Sequence, residues 1–449
     1  MKVTLAMLCV LASSVAGFSQ EKSFNLNNYK FPDYKRHELE LNFTSSGFNN
    51  KETSQTYLSP GEIEKKENSR INNSTNLTLG YKYDYLTRKR IDYLYTTFTG
   101  DYQYSKNNNN NHKEIRSNPS IRLNLNGSSK YYLIENKFFL EGFTDLNYNW
   151  DKLKTTATNT PDDISSDNFE DLSVGLGIGV GRIEKVSDLW QAYYMLEKLN
   201  KQGSFNRQMT EDDVFEFARL ASRLKNKRFF DARLHKIEEL KGLDSLLHQQ
   251  GLVRESDISY FTTLNDYWSY GNFQDRQSGM ELVFHASPNY ARVYQKMDDI
   301  KARISNRSTI ELSGMFNYVK QLNLYWEQRI VANVSYESLL DSTGHYFYNT
   351  PDNKLFTYAS LGYGYFPDSR TSISGSIRYQ GYNIFIPNQQ NTTDDSWVNR
   401  VYLSLSGYYY LSPQLQITGN ISYSYVDRDY NTLDRSYMNY SLGLRYAIF

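Results

Sequence analysis

Near the C-terminus, Leu415, Ile417, Gly419, Ile421, Tyr423 and Tyr425 alternate with Gln416, Thr418, Asn420, Ser422 and Ser424. A period of two puts the apolar set on one face of an extended strand and the hydroxyl and amide set on the other. The preceding segment repeats it, with Val401, Leu403, Leu405, Gly407 and Tyr409 set against Tyr402, Ser404, Ser406 and Tyr408. Upstream, Leu324, Trp326, Ile330, Ala332 and Tyr336 alternate with Asn323, Glu327, Arg329, Asn333 and Glu337, so the polar face there is charged. Runs of this kind predict strands at approximately 37–47, 70–86, 90–104, 114–127, 131–150 and 168–182. A second series follows at approximately 278–290, 303–318, 321–338, 354–366, 370–384, 397–411, 413–427 and 436–449. The segment 278–290 has the weakest support, because Pro288 lacks the N–H that a central strand uses.

Many of these runs last about ten residues or more, against about five or six in soluble sheets, and that is the length a tilted membrane crossing needs. The connections alternate in length. Short links fall at Thr87-Arg88-Lys89, Asn126-Gly127-Ser128-Ser129, Lys320-Gln321, Pro367-Asp368-Ser369 and Ser412-Pro413. Longer polar stretches occupy 48–69, the run Asn107 to Asn111, 151–167, 339–353, 385–396 and 428–435. Short turns on one side and long loops on the other are the habit of transmembrane barrels, whose polar strand face meets an enclosed lumen. The predicted fold is therefore an all-β transmembrane antiparallel barrel of about fourteen strands (range roughly 12–16), with an α-helical insertion between strands 6 and 7.

That insertion, 185–276, has a different period. Val214, Phe217, Ala218, Ala221 and Leu224 share one helix face, and Thr210 with Asp213 forms a capping box with Asp in the place of Glu. Ser187 is the expected cap of an earlier helix containing Trp190, Tyr194 and Leu199, which Gly203 ends. A third helix, about 231–249, presents Leu234, Ile237, Leu240, Leu243 and Leu247, and a fourth, about 255–269, presents Ile258, Phe261, Leu264 and Trp268. Loop parity puts this insertion and the N-terminus on the short-turn, periplasmic side, where the helices form a bundle or a plug. The chain thus divides into a signal peptide at 1–19, a first barrel half of about six strands at 20–184, the insertion at 185–276 and a second half of about eight strands at 277–449.

The signal peptide rests on Lys2 ahead of the apolar run Val3 to Val10, with small residues through Ala16 and cleavage expected after Ser19. Cys9, the single cysteine, falls inside that run, so the mature chain is expected to hold no disulfide or thiolate metal site. No other stretch approaches the roughly twenty apolar residues of a spanning helix. Charges balance, with 50 basic and 50 acidic residues, which makes nucleic acid an unexpected partner. The aromatic content is high for so polar a chain, with 40 Tyr and 24 Phe, and aromatic girdles of a barrel account for it.

The signal peptide, the alternating strands, the loop alternation and the terminal Phe449 together resemble a Gram-negative outer-membrane β-barrel of porin-like type. The resemblance implies residence in the outer membrane, contact with its lipid and recognition by the barrel-insertion machinery. Phe449 departs from the family pattern, since Tyr440, Leu442, Leu444, Tyr446 and Ile448 form the apolar face and Phe449 lies one residue beyond it.

Passage of solute is the activity such a barrel suggests. Glu135, Lys137, Glu141 and Asp145 are expected on one lumen-facing strand, Glu327, Arg329 and Glu337 on another, with Lys82, Asp84, Arg122 and Arg378 adding to the same interior. Mixed charges there either select passing solutes or pair with one another and fill the space. Gly175, Gly177, Gly179 and Gly181 form a track without side chains; either the insertion or a long side chain from across the lumen packs on it, or it lets the strand bend. A non-conducting interaction protein whose helices bind a periplasmic protein partner is the alternative. His285 and Ser287 share a strand face and suggest a lipid hydrolase, but no third residue orients the His. His37, His112, His235, His248, His285 and His345 show no ligand spacing on one element, and no metal or other cofactor is expected.

Overall fold

The computed structural model describes residues 29–59, 62–109, 112–226, 232–253, 255–270, 276–297, 301–347, 350, 352–387, 393–412, 415–428 and 435–446. The expected signal peptide and Phe449 lie outside these residues. The first six strands are β1 (Tyr34–Ser59), β2 (Glu62–Leu86), β3 (Arg90–Asn109), β4 (His112–Ile134), β5 (Phe138–Ala157) and β6 (Asp163–Lys185). Four helices follow, α1 (Ser187–Lys201), α2 (Glu211–Asn226), α3 (Ala232–Gln249) and α4 (Ile258–Tyr270). The remaining strands are β7 (Gln277–Met297), β8 (Arg303–Gln321), β9 (Trp326–Thr343), β10 (Asn353–Tyr365), β11 (Thr371–Pro387), β12 (Thr393–Tyr410), β13 (Leu415–Arg428) and β14 (Arg435–Tyr446). All fourteen belong to one sheet in sequence order, and every pairing is antiparallel. Among the described residues β1 and β14 are each paired on one side only.

The fourteen strands and the helical insertion after the sixth agree with the expected fold. The segment around Pro288 is a true strand. The proline leaves its mark on the ladder, because β6–β7 pairing is interrupted between Ser173–Asn289 and Leu176–Ala286.

Several expected connections need correction, the link at Lys320-Gln321 among them, since both residues belong to β8. The stretches 48–69 and 107–111 are not free loops; the β1–β2 and β3–β4 hairpins continue through most of them. The link expected at Asn126 to Ser129 is strand, since β4 runs on to Ile134 and the chain turns at 135–137 with Asn136 in the left-handed region at φ 58°. Gly127 sits in β4 because a Cβ there would lie 3.3 Å from the Leu94 side chain of β3.

One face of the sheet is an apolar belt that crosses every strand. Leu41 on β1 pairs with Leu79 on β2, Leu79 with Phe98 on β3, and Phe98 with Leu123 on β4. The same face carries Leu172, Leu176 and Ile178 on β6, Phe284 on β7, Leu312 on β8, Leu403 and Leu405 on β12, and Tyr440 and Leu442 on β14, all exposed. Aromatic residues bound this belt. Toward the short turns stand Tyr83, Tyr131, Trp326, Tyr365 and Tyr409, and toward the far end Trp150, Tyr290, Tyr336, Trp397 and Tyr425. Trp326 and Tyr336 are ten residues apart on β9. At about 3.4 Å per residue and a tilt of about 40–45°, that spacing is about 25 Å, the height of a membrane barrel's apolar band.

The helices have a core of their own, built from Leu189, Leu196, Phe217, Leu243, Leu247 and Leu264, with Tyr29 and Phe31 of the N-terminal segment packed into it. The Thr210–Asp213 capping box is present: Asp213 N donates to Thr210 Oγ1 at 3.3 Å and Thr210 N donates to Asp213 Oδ2 at 2.8 Å. Ser187 does not cap α1; its hydroxyl accepts from Arg276 N at 3.0 Å. No described helix is long and apolar enough to cross a membrane.

Candidate functional site: a charged inner face and the helical unit across its end

The face opposite the belt is polar, and on β5 to β7 it owes its packing to the glycine track. Gly175, Gly177 and Gly179 are all buried, although they have no side chains to bury. A Cβ on Gly179 would meet the Phe139 ring at 2.2 Å, one on Gly175 the Phe143 ring at 2.3 Å, and one on Gly177 the His285 ring at 2.4 Å. The track is therefore covered by rings from the two flanking strands, not by the helices or by a side chain from across a lumen. Gly181 differs, with φ at 92° and its N–H donating to Lys137 O at 2.6 Å, so it serves the turn end of the strand.

Over the track, His285 Nε2 donates to Glu141 Oε2 at 3.0 Å, and the His285 ring meets Phe143 edge-on at 5.0 Å. Lys130 of β4 reaches past both strands to Glu281 of β7 and lies 4.0 Å from Glu141. Ser287 is buried on the same face, but no hydrogen bond joins it to His285 among the described residues.

The other expected lumen residues fall into local pairs. Lys82 and Asp84 are 3.2 Å apart, and Arg122 bonds Asp101 at 2.9 Å. Asp145 accepts from Asn126 and Asn147 at 2.8 and 2.7 Å. Glu337 lies between Arg307 at 3.3 Å and Lys354 at 3.1 Å. Arg329 pairs with Glu327 at 3.3 Å, while Arg378 has no ion-pair partner among the described residues. Glu135 and Lys137 are not on this face. They are the exposed flanks of the Asn136 turn, a consequence of the displaced strand boundary.

The helical unit lies across the short-turn end rather than within the sheet's curvature. Its core cluster includes Leu86 at the end of β2 and packs against Tyr34, Ile91 and Leu324. Tyr194 of α1 donates to the carbonyl of Phe366, between β10 and β11, at 2.7 Å. The joint is fixed by Arg276, just ahead of β7, which is 0% exposed. Its guanidinium carbon stands 3.5 Å from the centre of the Trp190 ring and 4.5 Å from that of Phe366. It also donates to Leu324 O at 3.2 Å and to the Gln321 side chain, with Glu327 at 3.8 Å. Burial lowers its pKa to about 10, and the nearby Tyr194 and Glu327 oppose that shift. On the neighbouring strand, Arg88 of the β2–β3 turn bonds Glu184 of β6 at 2.6 Å and the carbonyl of Phe31 at 2.9 Å.

No protein-family model matches the chain, and no curated protein matches it. Solved structures of outer-membrane β-barrels do match it. The translocator domain of the autotransporter NalP from Neisseria meningitidis is 9% identical, with 91% of this chain and 95% of that one covered and a TM-score of 0.26. The toluene transporter TodX from Pseudomonas putida is 9% identical over 95% of this chain and 93% of that one, with a TM-score of 0.29. The ferric yersiniabactin uptake receptor FyuA from Yersinia pestis is 10% identical over 91% of this chain and 60% of that one, with a TM-score of 0.38.

Sequence reasoning missed Lys130, Glu281, Arg276, Arg307 and Lys354. Glu281 was accessible in principle, since it alternates with Met280 and Leu282. Lys130 was hidden by the misplaced turn, and Arg276 has no local pattern because its partners come from three distant segments.

Proposed function

We propose that this chain is an outer-membrane β-barrel that passes solute, with its N-terminus and helical unit in the periplasm and the long hairpins outside. The observation that carries the reading is the apolar belt of about 25 Å between two aromatic girdles, backed by an opposite face of paired charges. A soluble sheet would bury the first face and expose the second. In hydrocarbon each unpaired backbone group costs several kcal/mol, so β1 and β14 must meet. An even strand number makes them antiparallel to each other, and their outward faces carry the same belt, Leu39, Leu41 and Phe43 against Tyr440, Leu442 and Leu444. The contacts with lipid and with the insertion machinery follow from this placement. Glu141 gives His285 the orienting carboxylate that a hydrolase would need, but no hydrogen bond joins His285 to Ser287 among the described residues, so we prefer the channel reading to a lipid hydrolase. Planar-bilayer recording of the full mature chain tests the proposal: discrete conductance steps are expected, and their absence at all voltages would leave the barrel without a solute path.

A second reading is favoured by the exposed Ile237, Ile258 and Phe261 of α3 and α4, which suit a periplasmic protein partner. A silent bilayer together with specific capture of a periplasmic protein by the full chain would select it.

A further inference from the structure

The inner face at the far end of β1 to β4 holds a recess of about 650 Å³, within the range of small-ligand sites. Its floor is two rows of register neighbours. Phe48 pairs with Asn72, Asn72 with Ser105 and Ser105 with Arg116; one step nearer the belt the row runs Ser46, Ser74, Gln103 and Asn118. Hydroxyls, amides and guanidiniums make up most of this lining, and Phe48 offers an aromatic face. The hydrogen-bonding capacity is unfilled on both sides. The Oδ1 atoms of Asn72 and Asn118 are shielded from solvent with no donor. Arg70 lies over the Phe48 ring at 5.7 Å and has no carboxylate partner among the described residues. Arg116 is already paired with Glu114 at 2.6 Å, which leaves Arg70 as the uncompensated charge of the recess.

We propose that this recess binds an anionic saccharide, a sugar bearing carboxylate or sulfate. With the Asn72 and Asn118 amides turned toward the recess, the sugar hydroxyls donate to their orphaned oxygens, one face of the ring lies on Phe48, and the anion takes the free guanidinium edge of Arg70. The inference rests on the reading that this end of the barrel is the solute's entrance, and it adds the class of solute held there.

Titration calorimetry on the full mature chain in detergent tests it with three probes: a uronic-acid trisaccharide, a neutral trisaccharide of equal length and inorganic sulfate. The uronic-acid trisaccharide is expected to bind saturably, the neutral one about tenfold more weakly, and Arg70→Ala to weaken the first by about tenfold while leaving the second unchanged. Asn72→Leu should weaken both, since it removes an acceptor of hydroxyls. Both positions lie on the hairpin beyond the belt, and an unchanged far-UV spectrum confirms folding of each variant. Binding of sulfate alone, equal binding of the two trisaccharides, or an Arg70→Ala variant indistinguishable from the parent would overturn the proposal. Conductance without saccharide binding sinks this site and spares the channel, whereas binding without conductance does the reverse.

Discussion

Glu141 on β5 and His285 on β7 meet at 3.0 Å across a strand that belongs to neither, and they do so because Gly177 of β6 puts nothing between them. The first prediction follows. Gly177→Ala should cost about 1–3 kcal/mol, the range for overpacking, because the new Cβ would sit 2.4 Å from the His285 ring. Gly142→Ala on the outward face of β5 is the control, since a Cβ there meets nothing within 4 Å. Thermal melts of the two detergent-solubilised variants give the comparison; equal melting points would remove the packing role assigned to the track.

Arg276 is expected to hold the helical unit against the barrel end. Arg276→Ala deletes a desolvated cation between Trp190 and Phe366, an interaction worth about 2 kcal/mol or more before the lost hydrogen bonds to Gln321 and Leu324 are counted. Arg276→Lys should fail nearly as badly, because an ammonium keeps the charge but cannot stack between two rings. Limited proteolysis of the folded barrel reads the outcome. Faster cleavage within 187–270 in both variants is expected, and unchanged cleavage would mean that the contacts at Arg88 and Leu86 suffice.

Acid should loosen α2 through Asp213. Burial pushes this carboxyl up, but the bonds from Arg207 and Thr210 outweigh burial and leave its pKa below the ordinary value of 3.8. A lowered folded-state value stabilises the folded form fully above the unfolded value, and that contribution disappears as pH falls through the folded value. Asp213→Asn should therefore destabilise the helical unit by about 1 kcal/mol at neutral pH, a typical cap loss, and the gap from the parent should close in strong acid. Near-UV circular dichroism of Trp190 and Trp268 against urea at several pH values measures it. A gap that stayed constant into acid would rule out the carboxylate as its source.

How far the sequence could be read depended on where the solvent changes. Within the belt the outward face is apolar and the inward face polar, so residues such as Leu403 and Ser404 alternate and the strand is visible. Beyond the belt both faces of the β1–β2 hairpin meet water, the alternation fades after Phe48, and strand looks like loop. Asn126-Gly127 has the composition of a tight turn, yet Gly127 is there for the Leu94 side chain beside it, and that misreading moved Glu135 and Lys137 onto the inner face. Of the candidate site, the ion pairs within two residues, Lys82–Asp84 and Glu327–Arg329, were legible. Contacts bridging strands or segments, such as Lys130–Glu281 and Arg276–Trp190, depend on curvature that no local pattern encodes.

Closure of the wall can be checked directly. Single cysteines placed at Leu39, Leu41 or Phe43 should form disulfides with cysteines at Tyr440, Leu442 or Leu444 in at least one register, because both sets face outward at belt height. The product should be an internally crosslinked monomer on a denaturing gel. Crosslinked dimers alone would mean that the two edges meet other copies of the chain instead of each other.

The sharpest test of the membrane reading uses neighbours on one strand. Ile421 lies on the belt of β13 and Asn420 on the opposite face, and their β12 partners, Leu405 and Ser406, follow the same division. An arginine on the lipid face near mid-height costs about 2–4 kcal/mol, whereas the inner face tolerates one and passes its charge to any permeating ion. Ile421→Arg should therefore impair insertion into vesicles, while Asn420→Arg should insert normally and shift reversal potential toward anions. If the sheet were instead a water-soluble one folded around Ile421, Ile421→Arg would still be damaging, but the parent would remain folded in buffer without detergent, and Asn420→Arg would change nothing electrical. The pair of variants, read with the parent's detergent requirement, thus separates loss of a buried core from loss of a lipid-facing surface.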